Sequence, residues 1–280
     1  SFAPPGICAQ CSPPFFNPIS FDMSSDSPSS SPDPLWHALS DSARDQLDTR
    51  SYAKADLATR LGTVGVEAGE IATDKPGPKE GLEEAWIPGV EIFQRRIWQQ
   101  RHRGWFGEFT RLTEGRLHDI GLNPQQWASA TMFAGTAKGF HIHPPSIPEG
   151  VDPAAHFQQL FVENPTDYTP RPYGEEQWDA MFFVQGVIEF LLVDERAGMP
   201  RRVMRFLIDG DNIPGPNNIG LIIPAGVAHA LRCGSSQDVI MVYGTSTVFN
   251  PSFEGRIASG VEQCPLPAEW QAYLDGGSSD

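Results

Sequence analysis

Three of the seven histidines stand where their imidazoles could act on one chemical centre. His141 and His143 are two residues apart, so in a β-strand both side chains would point to the same face. Two neutral imidazoles on one face can bind one metal ion at about 2.0–2.2 Å. A lone H-x-H is more often a pair of ordinary half-buried strand residues, but Asp179 and His229 add a carboxylate and a third imidazole. The four residue types together favour a site for a divalent metal ion.

The spacing of these residues resembles the two sequence motifs of the cupin superfamily. The first motif has a glycine, five residues, H-x-H, a short gap, an acid, six residues and a second glycine. The residues that fit it are Gly135, His141, His143, Asp179 and Gly186, although 35 residues separate His143 from Asp179. This long gap makes Asp179 the least secure member of the set, and Glu149 is the alternative carboxylate.

The second cupin motif, P-x-G-x-x-H, is met by Pro224, Gly226 and His229. The resemblance implies an all-β cupin barrel, a double-stranded β-helix of the jelly-roll type. It also implies one divalent transition metal ion, of Fe, Mn, Ni, Co or Zn. The implied ligands are His141, His143, Asp179 and His229.

Residues 86–257 resemble one cupin branch more closely, the dTDP-4-dehydrorhamnose 3,5-epimerase family. Its R-G-x-F-x-E strand is matched by residues 103–108, and its R-G-L-H by residues 138–141. Further matches are residues 186–196 to its G-E-V-x-D-V-x-V-D-x-R run and residues 223–229 to I-P-x-G-x-A-H. The resemblance implies that His141 is the base that removes a proton beside a keto group and that Tyr243 is the acid. The implied substrate-binding residues are Arg103, Phe106, Glu108, Gln126 and Lys138.

Two departures from that family both favour a metal ligand set. His143 stands where the family has glutamine, and Asp179 stands where it has a catalytic lysine. An acid in place of a cation does not stabilise a developing enolate. A histidine nitrogen that is bound to metal has no lone pair with which to remove a proton. His141 is therefore either a metal ligand or the general base.

These patterns predict a metal-dependent cupin enzyme that carries out isomerase or epimerase chemistry on a sugar-like or keto substrate. Three alternatives stay open: a metal-dependent cupin oxygenase, a metal-free dTDP-4-keto-sugar 3,5-epimerase, and a non-catalytic ligand-binding cupin. The family resemblance also implies a homodimer.

The elements that must position these residues are short apolar runs punctuated by glycine and proline. Runs such as 104–110, 187–193, 203–208 and 219–223 predict antiparallel strands. The predicted organisation is a disordered or non-native leader (1–33), a helical extension and linker (34–85), a barrel (86–262) and a C-terminal helix and tail (263–280). Within the extension, one helix is predicted to begin at residue 34, and a second is predicted from about Ala53 to Leu61, where Gly62 would stop it. The barrel contains an inserted loop at 144–178.

Composition limits the partners. The net charge of −15 disfavours binding to nucleic acid, and no apolar run is long enough for a membrane helix. Four scattered cysteines do not form a disulfide framework and indicate a reducing, cytoplasmic location. A small-molecule substrate is the expected partner.

Overall fold

The computed structural model describes residues 56–63, 65–143, 176–196, 199–210, 215–249, 255–256 and 270. Two β-sheets dominate this part of the chain. The strands are β1 (Val66–Glu67), β2 (Glu91–Gln94), β3 (Ile97–Gln99), β4 (Trp105–Gly107), β5 (Gln126–Met132), β6 (Ala137–Ile142), β7 (Asp179–Gln185), β8 (Val187–Asp194), β9 (Val203–Asp209), β10 (Ile219–Ile223), β11 (Val227–Cys233), β12 (Val239–Thr245) and β13 (Gly255–Arg256). The described helices are α1 (Leu57–Thr63), α2 (Ala68–Ile71), α3 (Arg116–Asp119) and a 3₁₀ turn at Arg101–Arg103.

The larger sheet has the strand order β1-β9-β8-β11-β6-β13, and the second has β2-β10-β7-β12-β5. All strand pairs in both sheets are antiparallel except β1 with β9. The predicted all-β cupin barrel is therefore confirmed. The predicted strand at 104–110 is shorter than expected, because only Trp105–Gly107 pairs, with β3, in a separate two-stranded ribbon.

Burial follows the two-residue period of a strand where one face meets solvent. In β9 intermediate and buried residues alternate, whereas all seven residues of β11 are buried. A strand in the middle of a sheet that is covered on both faces loses the alternation. The main core is apolar and draws residues from both sheets, including Phe183, Phe190 and Phe206.

Residues 57–71 belong to the packed core, although the barrel was expected to begin at residue 86. Leu61, Val66 and Ile71 are almost completely buried, and β1 adds a parallel strand to the edge of the larger sheet beside β9. The helix predicted from about Ala53 to Leu61 is described as Leu57–Thr63, so it continues through Gly62, which was expected to stop it. None of the described helices is long and apolar enough to cross a membrane.

Several predicted segments lie outside the described residues. They are the leader at 1–33, the first extension helix from residue 34, Glu149 with the loop up to residue 175, and the C-terminal segment apart from Trp270. Trp270 is completely buried against Phe140, Leu191 and Ala230 on the outer face of the larger sheet.

The glycines of the two cupin motifs occupy turns that need a left-handed backbone. Gly135, Gly186 and Gly226 have φ values of 69°, 84° and 80°. Gly186 forms the turn between β7 and β8, and a Cβ at this position would lie 2.8 Å from the carbonyl oxygen of Asp238. All three positions therefore favour glycine because of the left-handed backbone, and position 186 also has no room for a Cβ.

We expect Gly186→Ala to destabilise the fold more than Gly135→Ala. Both substitutions place a Cβ at positive φ, which costs about 1–2 kcal/mol. Only Gly186→Ala also meets backbone atoms, whereas a Cβ at Gly135 has nothing within 4 Å. The free energies of unfolding in urea should differ by at least about 1 kcal/mol. Equal losses would show that the contact with Asp238 is relieved without cost.

Candidate functional site

His141 and His229 face each other across two neighbouring strands of the larger sheet. They are directly paired in the register of β6 with β11, and their ring centroids are 5.3 Å apart. Phe140 and Ile142 pack with Trp270 on the outer face. Both histidines therefore point into the barrel.

Asp179 comes from the opposite sheet. It is the first residue of β7 and pairs with Ile223 of β10 and Thr245 of β12. Its Oδ2 lies 3.1 Å from Nε2 of His143, and both side chains are almost completely buried. The contact joins the two sheets at the end of the barrel, as the motif resemblance implied despite the 35-residue gap.

A backbone hydrogen bond connects the two motifs. The amide of Gly226 donates to the carbonyl oxygen of His143 at 2.6 Å. Gly226 can approach closely because it turns with φ of 80° between β10 and β11. The turn therefore places His143, which follows the last residue of β6, next to His229 on β11.

His143 is the centre of the cluster. Its Nε2 lies 3.1 Å from Nε2 of His141, 3.1 Å from Oδ2 of Asp179 and 3.1 Å from Nε2 of Gln177. The ring centroids of His143 and His229 are 6.1 Å apart. Among the residues that the structure describes, no three or more His, Cys, Asp or Glu side chains are placed to hold a metal ion directly. The four predicted residues are thus brought together, and the metal ion stays a proposal.

Burial and neighbouring charge act against each other on the carboxyl group. Burial raises the pKa of Asp179, but the electrostatic attraction of His143, their hydrogen bond, the electrostatic attraction of His229 and the Gln177 amide outweigh it. The pKa of Asp179 consequently lies well below its ordinary value, so Asp179 is ionised at neutral pH.

The opposite effect dominates at His229. Burial lowers the pKa of its imidazole to about 3, with a further lowering by His141 and His143 that exceeds the opposing attraction of Asp179. His229 is therefore neutral at neutral pH. A neutral imidazole retains a lone pair that can accept a proton or bind a cation.

The cluster lines an open cavity with a volume of about 200 Å³. Tyr243 and Gln126 line the same cavity, as the sequence predicted for the acid and for one substrate-binding residue. Tyr243 reaches it from β12, where it pairs with Met181 of β7. Phe249 is at the rim with 58 % of its surface exposed, and its amide donates to Oε1 of Gln126 at 2.8 Å.

A β-bulge brings Lys138 into this cavity. In the pairing of β6 with β11, His141 lies opposite His229 but Lys138 lies opposite Leu231, so β6 has one extra residue between them. Residues three apart on a regular strand point to opposite faces, and the extra residue puts Lys138 and His141 on the same face. Among the described residues that line the cavity, Lys138 is the one lysine or arginine.

Three predicted substrate-binding residues do not line this cavity in the described chain. Arg103 and Phe106 lie on the ribbon formed by β3 and β4, where Phe106 stacks on Trp98 with ring centroids 5.7 Å apart. Glu108 lines a different cavity and forms an ion pair with Arg111 at 2.9 Å. Sequence similarity matched these residues to family positions, but it did not show which cavity the ribbon adjoins.

The sequence reasoning also missed Gln177. Its amide nitrogen is 3.1 Å from Oδ1 of Asp179, and its Oε1 accepts a hydrogen bond from Oγ1 of Thr247 at 2.9 Å. The signal was available, because Gln177 precedes Asp179 by two residues and so faces the same side of an extended chain.

Comparisons with solved structures find sugar-nucleotide epimerases. A dTDP-4-dehydrorhamnose 3,5-epimerase from Elizabethkingia anophelis is 15% identical, with a TM-score of 0.47 over 67% of this chain and 86% of that one. A dTDP sugar isomerase from Desulfovibrio desulfuricans is 13% identical, with a TM-score of 0.49 over 68% and 96%. The rmlC epimerase from Mycobacterium tuberculosis is 20% identical, with a TM-score of 0.42 over 61% and 69%. No protein-family model and no curated protein sequence matches the chain.

We expect acid to destabilise the protein through His229. The folded pKa of about 3 is below the unfolded value of about 6.5, so the unfolded chain binds more protons as the pH falls. The contribution of His229 to the free energy of unfolding is fully present above pH of about 6.5. Below that pH it falls by about 1.4 kcal/mol per pH unit, until pH of about 3. Asp179 does not oppose this trend, since its own contribution is lost only below pH of about 4.

The measurement is urea unfolding at pH 7.0 and pH 5.0 in the presence of a chelator. The loss of stability between the two pH values should be about 2 kcal/mol smaller in His229→Gln than in the wild type. His118→Gln is the matched control, because His118 is exposed and should leave the slope unchanged. If His229→Gln loses as much stability between pH 7.0 and pH 5.0 as the wild type, His229 is not the group that causes the loss.

Proposed function

We propose that this chain is an enzyme that isomerises or epimerises a sugar-like keto substrate by moving a proton at the carbon beside the carbonyl group. The observation that carries the proposal is the convergence of His141, His143 and the ionised carboxylate of Asp179 at one cavity, which Tyr243 also lines. The combination supplies a base, an acid and a buried charge, which are the groups that general acid–base catalysis needs.

His141 is the proposed base. It is partly exposed to the cavity, and its Nε2 contacts His143, which contacts the buried carboxylate. A proton that His141 takes from carbon creates a positive imidazolium. The negative charge of Asp179, reached through His143, stabilises that imidazolium in a setting of low dielectric constant. Tyr243 on the neighbouring sheet is the proposed acid.

Lys138 supplies the positive charge that Asp179 cannot supply. Removal of a proton beside a carbonyl group leaves negative charge on the carbonyl oxygen, and a cation aimed at that oxygen lowers the barrier. The family resemblance implied a loss of this function, because Asp179 occupies the position of the lysine. The bulge in β6 places a different lysine in the same cavity.

A second candidate is favoured by the contacts of one nitrogen. Nε2 of His143 has a carboxylate oxygen, which only accepts, and an amide nitrogen, which only donates, both at 3.1 Å. A single nitrogen with one hydrogen or one lone pair cannot satisfy both neighbours. A cation among His141, His143 and Asp179 would give their lone pairs a positive partner, while the amide of Gln177 keeps its hydrogen bond to Oδ1 of Asp179.

The donor set fits a divalent transition metal ion in the chemistry of its side chains. Three imidazoles and one carboxylate are common ligands of such ions. Two pairs of donor atoms in this set are 3.1 Å apart, Nε2 of His141 with Nε2 of His143 and Nε2 of His143 with Oδ2 of Asp179. His141, His143, Asp179 and His229 would hold the ion, which when bound polarises a carbonyl group as a Lewis acid. In this form the proton transfer falls to Tyr243.

The remaining inferences from the sequence stay predictions. They are the oxygenase and binding-module alternatives, the homodimer and the cytoplasmic location. The nucleotide part of the substrate is also a proposal. Of the four residues that the resemblance matched to the nucleotide, Gln126 lines the cavity of the cluster, whereas Arg103, Phe106 and Glu108 do not.

Proton transfer at carbon is tested by incorporation of solvent deuterium. We expect a 4-keto-sugar nucleotide or a free keto-sugar in D₂O to gain deuterium at the carbon beside the carbonyl group, as followed by proton NMR. His141→Asn should lower the rate by about 100-fold or more, because the base is lost. Tyr243→Phe should affect net epimerisation more than deuterium exchange, since the acid acts after the first proton has left.

The matched control is His118→Asn, which changes an exposed histidine. Wild-type rates in His141→Asn would contradict the metal-free mechanism and favour the metal-bound form. An absence of exchange in every keto-sugar, with or without added metal, would contradict the proposed function.

Metal content separates the two candidates. For the second candidate we expect about one equivalent of Fe, Mn, Ni, Co or Zn per chain, by elemental analysis of protein purified without a nickel column. His143→Ala and Asp179→Ala should both remove it, whereas Glu114→Ala, at an exposed ion pair, should not. Metal-free wild-type protein with full activity would contradict the second candidate and leave the first.

A further inference from the structure

Gln177 is held in one orientation by acceptors and donors on both sides of its amide. The Asp179 carboxylate can only accept a hydrogen bond, so the group 3.1 Å from its Oδ1 must be the NH₂ of Gln177. The amide oxygen therefore faces Thr247, whose hydroxyl donates to it at 2.9 Å. The orientation of the amide follows from these two contacts.

The chain on either side of Gln177 is tied to the segment that carries Thr247. The amide of Trp178 donates to the hydroxyl of Ser246 at 2.8 Å, and the amide of Ser246 donates to the carbonyl of Trp178 at 3.0 Å. The hydroxyl of Ser246 also donates to the carbonyl of Glu176 at 3.2 Å. These bonds hold Gln177, just before the start of β7, close to Thr247, just after the end of β12.

The two oxygens of Asp179 have different partners. Oδ1 accepts from Gln177, while Oδ2 faces His143. A carboxylate that is only 2 % exposed needs a donor on each side, since a buried acceptor without one is costly. Without the amide, the carboxylate could rotate and lose its alignment with the imidazole. The amide therefore fixes the plane of the carboxylate relative to the reactive cluster.

We propose that Gln177, oriented by Thr247, is a positioning residue that holds Asp179 with Oδ2 directed at His143. The inference deepens the proposed function and rests on it for any effect on turnover, but the effect on His143 itself does not depend on activity. The amide nitrogen of Gln177 also lies 3.1 Å from Nε2 of His143, so Gln177 contacts both partners of the pair that it positions, with or without a metal ion.

The test compares Gln177→Leu and Thr247→Val with Thr247→Ser. Leucine keeps most of the volume and removes the amide. Valine has nearly the shape of threonine without the hydroxyl, so the amide loses its donor. Serine retains the hydroxyl and is the matched control. In the deuterium-exchange assay kcat should fall about tenfold or more in Gln177→Leu, and less in Thr247→Val. KM should stay within about twofold, because the change is in positioning and not in substrate binding.

The second readout is the ¹⁵N chemical shift of the His143 ring in protein with labelled histidine, at constant pH. The shift should change in Gln177→Leu and Thr247→Val and stay at the wild-type value in Thr247→Ser. The exposed His118 serves as the internal reference. Thr247→Val leaves the Gln177 side chain present and decides the matter if Gln177→Leu does not fold.

Unchanged His143 shifts in both variants would overturn the inference, as would a rise in KM with constant kcat. If wild-type protein shows no exchange with any keto-sugar, the proposed function fails. The chemical shifts of His143 then still decide the role of Gln177.

Discussion

The buried carboxylate of Asp179 is the group on which the rest of the site depends. An isolated ionised carboxylate in a protein interior is costly, so it must be surrounded by donors or positive charge. Here one oxygen accepts from Gln177 and the other faces His143. The arrangement keeps a negative charge among imidazoles within a largely apolar barrel. Neither sheet could do so alone, because Asp179 belongs to one and His141 and His229 belong to the other.

The barrel positions the cluster by its turns as much as by its strands. Gly226 brings its amide to the carbonyl oxygen of His143, and Gly186 closes the hairpin that carries Asp179 at its far end. Both glycines adopt backbone conformations that residues with a side chain seldom adopt. Phe140 and Ile142 of β6 pack with Trp270 on the outer face of the larger sheet, so the side chain of His141 between them points into the barrel. The position of the cluster is consequently a property of the whole barrel and not of one loop.

Much of the fold and the central part of the site could be predicted from the sequence. Short apolar runs gave antiparallel strands, and the paired motifs located His141, His143, Asp179 and His229 at one place. The assignment of Arg103, Phe106 and Glu108 to the same cavity was not reproduced within the described chain. Similarity of a short motif identifies a strand, but the packing of that strand decides which surface its side chains reach. The start of the barrel was placed too late for a related reason. Val66–Glu67 is too short to be recognised as a strand, and pairing with β9 alone makes it one.

The sequence by itself determined which chemical groups are available and their order along the chain. It specified three imidazoles, a carboxylate and a tyrosine at spacings that strands can present to one face. The family resemblance implied Lys138 as a substrate-binding residue, but only the tertiary structure showed how it reaches the cavity, because one extra residue in β6 reverses the direction of its side chain. Only the tertiary structure brought Gln177 and Thr247 together, since they lie on segments 70 residues apart. Local spacing dictates the face of a regular strand, whereas bulges and contacts between distant segments depend on how the two sheets close around the core.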